Sequence, residues 1–387
     1  MYTASLPLAL SQDGLPDPTI GLLVGVSALV QVPAAFAGGS LLDRFGGVRL
    51  FRVGAAMYIL ASAIMVIPVV AAGESVPAIV VVRFLQGVGL ALCLPAALSL
   101  VPRLIHAARR GLGLSFIGGA QNLALLVFPP LSLIILRGSS LSGVALVAIG
   151  FVLVAIVLVV RLPFRTGAAV AAEDAAEAAS GLPPAGRRFG FAYRPSWGPL
   201  LLVTLLYVAH WGVVTAYLPQ RAAAAGADVG LFFIADGLGI VLVRVPSGWL
   251  ADRIAARWLM ATGLLMTAFA LVLLLPVPTT TLLVIAGIAG GLGGGLVLTP
   301  ILLELSRRSA AADRGSAFSL FSGALAGAIS LGSIGGAPIM AAAGFVAALA
   351  IGIGGILAAV AITMLDPALA IRPANRLRGT GRPIIRA

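Results

Sequence analysis

The chain has 387 residues, of which 60% are hydrophobic and only 10% charged, and its formal net charge is +12. Soluble proteins are roughly 45 to 50% apolar even with glycine counted, so this chain has more apolar surface than a water-soluble core could bury. All 25 basic residues are arginine, and their confinement between apolar runs excludes the nucleic-acid partner that such a charge would suggest in a soluble protein.

A bilayer core about 30 Å thick needs about 20 apolar residues per helix. In chain order such runs fall at 20–38, 50–72, 77–101, 112–136, 141–161, 198–219, 229–250, 258–276, 280–303, 315–340 and 344–365, which predicts eleven full spans. Ahead of them, residues 1–10 read as the last half of a twelfth, too short to cross and without the basic start of a signal peptide.

The arginines alternate from side to side. Twenty-one fall in alternate connections or in the tail: Arg44, Arg49 and Arg52; Arg103, Arg109 and Arg110; five from Arg161 to Arg194; Arg253 and Arg257; Arg307, Arg308 and Arg314; five from Arg372 to Arg386. The other connections hold Arg137 and Arg221, with Asp13, Asp17, Glu74 and Asp228. The positive-inside rule makes the arginine-rich side cytoplasmic, the C-terminus included. The expected setting is the cytoplasmic (inner) membrane of a bacterium, with the chain multi-pass and monomeric and the lipid bilayer its partner. Cys93 is alone, which rules out an internal disulfide.

The long polar connection, with Glu173, Asp174, Glu177, Pro183, Pro184, Arg187 and Arg188, separates two halves. The expected division is a first transmembrane bundle at 1–161, a cytoplasmic linker at 162–197, a second bundle at 198–365 and a basic cytoplasmic tail at 366–387. The halves repeat each other. Gly39, Leu41, Asp43 and Arg44 recur 209 residues later as Gly248, Leu250, Asp252 and Arg253, and Arg110-Gly111 with Ser115 recurs as Arg314-Gly315 with Ser319. Duplication inside a lipid-soluble chain points to a transporter.

The Gly-x-Leu-x-Asp-Arg pair resembles the loop signature of the major facilitator superfamily. The first copy, through Arg49, is intact; in the second, Trp258 stands where Arg49 would and Arg257 is one place early. Arg83, Gln86, Gly87 and Gly89 resemble that family's Arg-x-x-Gln-Gly-x-Gly pattern in the fourth span. The resemblance implies an all-α integral membrane fold, two six-helix bundles related by a pseudo-two-fold axis, with about twelve helices and the first incomplete. It also implies a cytoplasmic gate built from Gly39, Asp43, Arg44, Arg49, Gly248, Asp252 and Arg253. An aspartate there can sit at a helix N-terminus, where the macrodipole favours it by roughly 0.3 to 1 kcal/mol; a topology anchor without switching is the other reading. The antiporter glycine-proline pattern of the fifth span is reduced to Pro129-Pro130 in this chain.

Ionisable groups inside spans are functional candidates. Asp236 is the carboxylate deepest within a span and the candidate for proton coupling, with Arg83 beside it by resemblance; a structural ion pair to Arg83 or Arg244 is the competing role. Asp236 and Arg244 lie about 12 Å apart along one helix, too far for a simple pair. The seventh span is dense in polar and aromatic residues, and Tyr207, His210, Trp211 and Tyr217 are expected to line a substrate cavity, with Gln31, Asn122, Arg83 and Arg244 contributing. Gln121 is a weaker candidate of the same kind. Asn122 could instead join helices.

The function expected is secondary active transport of a small organic molecule by alternating access, as proton-coupled efflux. The alternatives are uptake or exchange of an anionic metabolite, or a sensor without flux. No cofactor and no metal is expected beyond the proton gradient, and a chain without lysine cannot form an ATP-binding P-loop. An enzyme is not expected, because the two histidines, His106 and His210, have no serine partner in sequence.

Overall fold

The computed structural model describes residues 1–104, 110–162, 187–188, 191–251, 253–310 and 313–370. His106, Asp252, the body of the linker and the tail from residue 371 lie outside the described residues, as do the side chains of Asp43, Arg44 and Asn122. Within them the chain is helical apart from a two-residue antiparallel ribbon, Arg187–Arg188 against Phe191–Ala192.

The helices are α1 (Tyr2–Gln12), α2 (Asp17–Phe45), α3 (Gly47–Met65), α4 (Val76–Leu104), α5 (Arg110–Gly138) and α6 (Leu141–Arg161), then α7 (Gly198–Ala224), α8 (Val229–Ala251), α9 (Ala256–Leu273), α10 (Thr280–Arg307), α11 (Arg314–Ser330) and α12 (Gly336–Leu365). Seven stretches among the described residues are long and apolar enough to cross a bilayer, and α2 and α5 add the shorter apolar helices Asp17–Pro33 and Leu126–Gly138. Most helices are apolar all round, as lipid and protein neighbours together require. Polar residues mark the ends instead: the Ser140 and Thr279 hydroxyls accept from the Ser142 and Leu282 amides and cap α6 and α10.

Two runs depart from the sequence expectation. The run at 50–72 is not one helix: α3 stops at Met65 and a single turn, Pro68–Ala71, follows, because Pro68 has no amide hydrogen with which to continue the ladder. The last two runs join. α11 passes through a π-turn, Leu331–Gly335, into α12, which is broken only at Gly344, φ 77. A side chain is disfavoured at that φ, so the glycine makes a one-residue connection usable.

Packing repeats between the halves. α2 and α3 both pack on α4, and α8 and α9 both pack on α10; α3 meets α6 as α9 meets α12; α1 meets α5 as α7 meets α11. Across the middle, α2 packs on α11 and α5 on α8. Exchanging each helix of the first half with the one numbered six higher maps every one of these pairs onto another, as duplication with pseudo-two-fold symmetry requires. The bundle therefore has a motif end, carrying the repeated Asp-Arg loops, and an opposite end carrying Asp13, Asp17, Glu74 and Asp228. Described polar contacts between the halves lie at the opposite end, where Gln220 Nε2 donates to Asp17 Oδ1 at 3.4 Å and Arg137 pairs with Asp228 at 3.2 Å.

Candidate functional site

The site begins with glycines. α10 carries six between Gly287 and Gly295, and they serve three different directions. A methyl at Gly287 would stand 2.5 Å from the Phe232 carbonyl, and one at Gly291 would run into the Asp236 carbonyl, so this face lets α8 approach backbone to backbone. Gly293 does the same for α9 at Gly263 and Thr267. Gly290 and Gly294 face neither; there a methyl would meet only side-chain tips, Asp236 Oδ1 at 3.3 Å and the Tyr207 hydroxyl at 3.2 Å. Two missing side chains on that third face leave space.

The space is a cavity of about 250 Å³, lined from α7, α8, α9, α10 and α11. Asp236, Tyr207, His210, Trp211, Phe232 and Thr267 contribute its chemistry. Asp236 is only 6% exposed, and its carboxylate has no hydrogen-bond or ion-pair partner among the described residues. His210 Nδ1 donates to the Tyr207 carbonyl one turn earlier, which in the neutral ring leaves Nε2 as an acceptor. Trp211 and Phe232 stack at 6.4 Å with 28° between planes, Phe233 meets Trp211 edge-on at 6.2 Å, and Tyr207 and His210 are 5.2 Å apart. A few polar groups among aromatic and aliphatic walls are the ingredients of a small-molecule site.

The sequence candidates divide. Tyr207, His210, Trp211 and Asp236 meet at this cavity, all of whose described lining residues belong to the second half. Gln31, Arg83 and Tyr217, expected at a shared cavity, do not line this one. Arg83 is spent on α2: it donates to the Leu23 and Val24 carbonyls, both at 2.8 Å, and to Ser27 Oγ, while holding Gln86 Oε1 at 2.6 Å. A methyl at Gly87 would stand 2.6 Å from the Ser27 carbonyl, and one at Gly89 2.7 Å from the Gly54 carbonyl. The Arg-x-x-Gln-Gly-x-Gly stretch thus clamps α4 to α2 and α3. Gln31 bonds the Ser27 carbonyl of its own helix at 2.9 Å, and Gln121 is exposed. Tyr217 is buried against the π-turn, donating to the Ser333 carbonyl at 2.7 Å beneath Gly21 of α2. It lies about 15 Å further along α7 than Tyr207, past the cavity's end. Arg244 has no described partner and does not line the cavity. The proposed ion pair of Asp236 with Arg83 or Arg244 is not formed among the described residues.

Sequence reasoning passed over Thr267 and Phe232, and read the glycine run from Gly287 to Gly295 as a packing or bending feature alone. The four-residue spacing of Gly290 and Gly294, set against that of Gly287 and Gly291, is the signal that separates a cavity face from a packing face.

At the motif end, Gly39 and Gly248 lie in the last turns of α2 and α8, and Arg49 and Arg253 are exposed. The turns after the two copies differ. Gly46 takes φ 76 before α3, while its counterpart Ala255 takes φ −60 before α9, since alanine resists a positive φ. Arg257 lies over the Trp258 ring at 5.2 Å. Nearby, a buried charge network fixes the second half: Glu304 pairs with Arg307 at 3.2 Å and Arg308 at 3.6 Å, Arg308 with Asp366 at 3.1 Å, and Arg194 with Asp313 at 2.9 Å.

Two like helical halves meeting across the middle of an apolar bundle, with one buried carboxylate open to a small cavity, are the architecture of a membrane transporter. The sequence model of the Major Facilitator Superfamily matches residues 1–228 and 200–386, and the chain belongs to that family. Among solved structures, the human organic anion transporter MFSD10 (TETRAN) shares the fold with a TM-score of 0.64 at 17% identity, over 89% of this chain and 83% of that one. Comparison with curated protein sequences gives no match.

Proposed function

We propose that this transporter moves a small organic molecule outward across the cytoplasmic membrane of a bacterium by alternating access, driven by protons, with the cavity around Asp236 as its binding site. The observation that carries the reading is the Asp236 carboxylate, buried and without a described partner, opening onto a cavity of about 250 Å³. An unpaired charge in such surroundings is costly, so this carboxyl favours a cycle in which a proton or a bound molecule neutralises it. Rocking of the two halves about their contacts would expose the site to each side in turn. The motif end is then the cytoplasmic side, on the arginine distribution, and Asp43, Arg44, Asp252 and Arg253 form its gate.

The test is flux in proteoliposomes under an imposed pH gradient. Asp236→Asn is expected to abolish gradient-driven accumulation and preserve counterflow exchange. Full accumulation by that variant would remove Asp236 from coupling, and absence of flux with ligand binding intact would make the protein a sensor. A second reading, exchange of an anionic metabolite, is favoured by one feature: Arg244, on the same helix as Asp236, has no described partner.

A further inference from the structure

The chemistry of the cavity wall is one-sided. Asp236 supplies a carboxylate; His210, with Nδ1 committed to the Tyr207 carbonyl, supplies an acceptor nitrogen without a described partner. Trp211 and Phe232 line it as a stacked aromatic pair, and aromatic π-systems attract positive charge through the ring quadrupole. Among the described residues no arginine lines the cavity. Arg83 faces α2 within the first half, its donors engaged by two carbonyls, a hydroxyl and an amide oxygen. An anion placed here would meet a carboxylate and no opposing charge. The remaining hydroxyls, on Tyr207 and Thr267, are neutral, and Thr267 donates to the Gly263 carbonyl of its own helix at 3.0 Å.

Size narrows the ligand further. About 250 Å³ lies below the roughly 300 to 1,000 Å³ of drug-sized sites, and the space opposite Asp236 exists because Gly290 and Gly294 leave it free. One carboxylate matches one positive charge.

We infer that the cavity selects a small organic monocation, its charge held by the Asp236 carboxylate and its apolar frame seated against Trp211 and Phe232. This rests on the cavity being the transporter's substrate site. It adds a sign and a size to that site, and it sets this protein apart from its structural neighbour, described as an organic anion transporter. Selection by charge draws on no described residue of the first half, since the described lining residues all belong to the second half.

Three probes of nearly equal shape test the inference on the full-length protein in lipid nanodiscs: phenyltrimethylammonium as the cation, tert-butylbenzene as its neutral isostere, and benzenesulfonate as an anion. Calorimetry is expected to give saturable binding of the cation, at least about tenfold tighter than the neutral isostere, and none of the anion. Asp236→Asn should bring the cation down to the level of the neutral probe, Asp236→Glu should keep most of its advantage, and Trp211→Leu should weaken the cation more than the neutral probe. Melting curves of each variant separate loss of binding from loss of fold. Tighter binding of benzenesulfonate, equal binding of all three probes, or no binding of any would overturn the inference. The parent reading fails separately: saturable, Asp236-dependent cation binding with no flux under any gradient leaves the selectivity standing and removes transport. Flux of benzenesulfonate without cation binding does the reverse.

Discussion

The Tyr217 hydroxyl donates a 2.7 Å hydrogen bond to the Ser333 carbonyl oxygen, and Gly21 of the opposite half lies against that hydroxyl with no room for a methyl group. Ser333 stands in the π-turn that ends α11, and such turns gather at functional positions. Two helices of one half and one of the other are therefore joined through a single hydroxyl.

Tyr217→Phe is expected to cost about 1 kcal/mol, the usual worth of one buried hydrogen bond, seen as a lower melting temperature. Gly21→Ala should cost more, because its methyl collides with the hydroxyl itself. In the Tyr217→Phe background the penalty of Gly21→Ala should shrink, and a double-mutant cycle with no coupling would show that the two residues do not bear on each other.

Gly291→Ala and Gly290→Ala should behave as opposites. The first forces α8 and α10 apart at the Asp236 carbonyl, an overpacking cost of roughly 1 to 3 kcal/mol, and should lower the melting temperature and the yield of folded protein. The second places a methyl at a contact of 3.3 Å from the Asp236 carboxylate; it should leave the melting temperature nearly unchanged and reduce ligand binding.

Glu304 is 2% exposed between Arg307 and Arg308. Glu304→Gln takes one of two counter-charges from the largely buried Arg308, which keeps Asp366, and should destabilise the protein by roughly 1 to 3 kcal/mol. Arg137→Ala removes an ion pair whose side chains are 66% and 39% exposed, and its effect should stay within about 1 kcal/mol. Parallel melting curves of the two variants decide the comparison.

Asp43→Asn tests the gate. In a Cys93→Ala background, a cysteine introduced beside the motif-end opening should change its labelling rate with a membrane-impermeant thiol reagent when Asp43 is neutralised. An unchanged rate would make the Asp-Arg loop a topology anchor.

Much of this was legible in the sequence, and for stated reasons. Apolar runs locate helices because lipid leaves the backbone no other partner. Tyr207, His210, Trp211 and Asp236 stood out because polar groups are rare inside spans. Tyr217 shares their helix and was grouped with them, but helical spacing says which side a residue is on and not which neighbour covers that side 15 Å further along, by a rise of about 1.5 Å per residue. Arg83 looked like a cavity residue for want of any way to see the Leu23 and Val24 carbonyls that take its donors. Thr267 comes from α9, and the contribution of Gly290 and Gly294 is an absence, which composition records without saying what fills or leaves it.

The three faces of α10 also bear on how such a protein can change under selection. A glycine codon becomes an alanine codon by one base substitution, the smallest step open to a lineage. At Gly287, Gly291 and Gly293 that step meets backbone or a packed neighbour and destabilises the protein; at Gly290 and Gly294 it narrows the cavity. Inheritable shifts in what is transported should therefore surface at those two codons, while the three beside them stay silent in any surviving population.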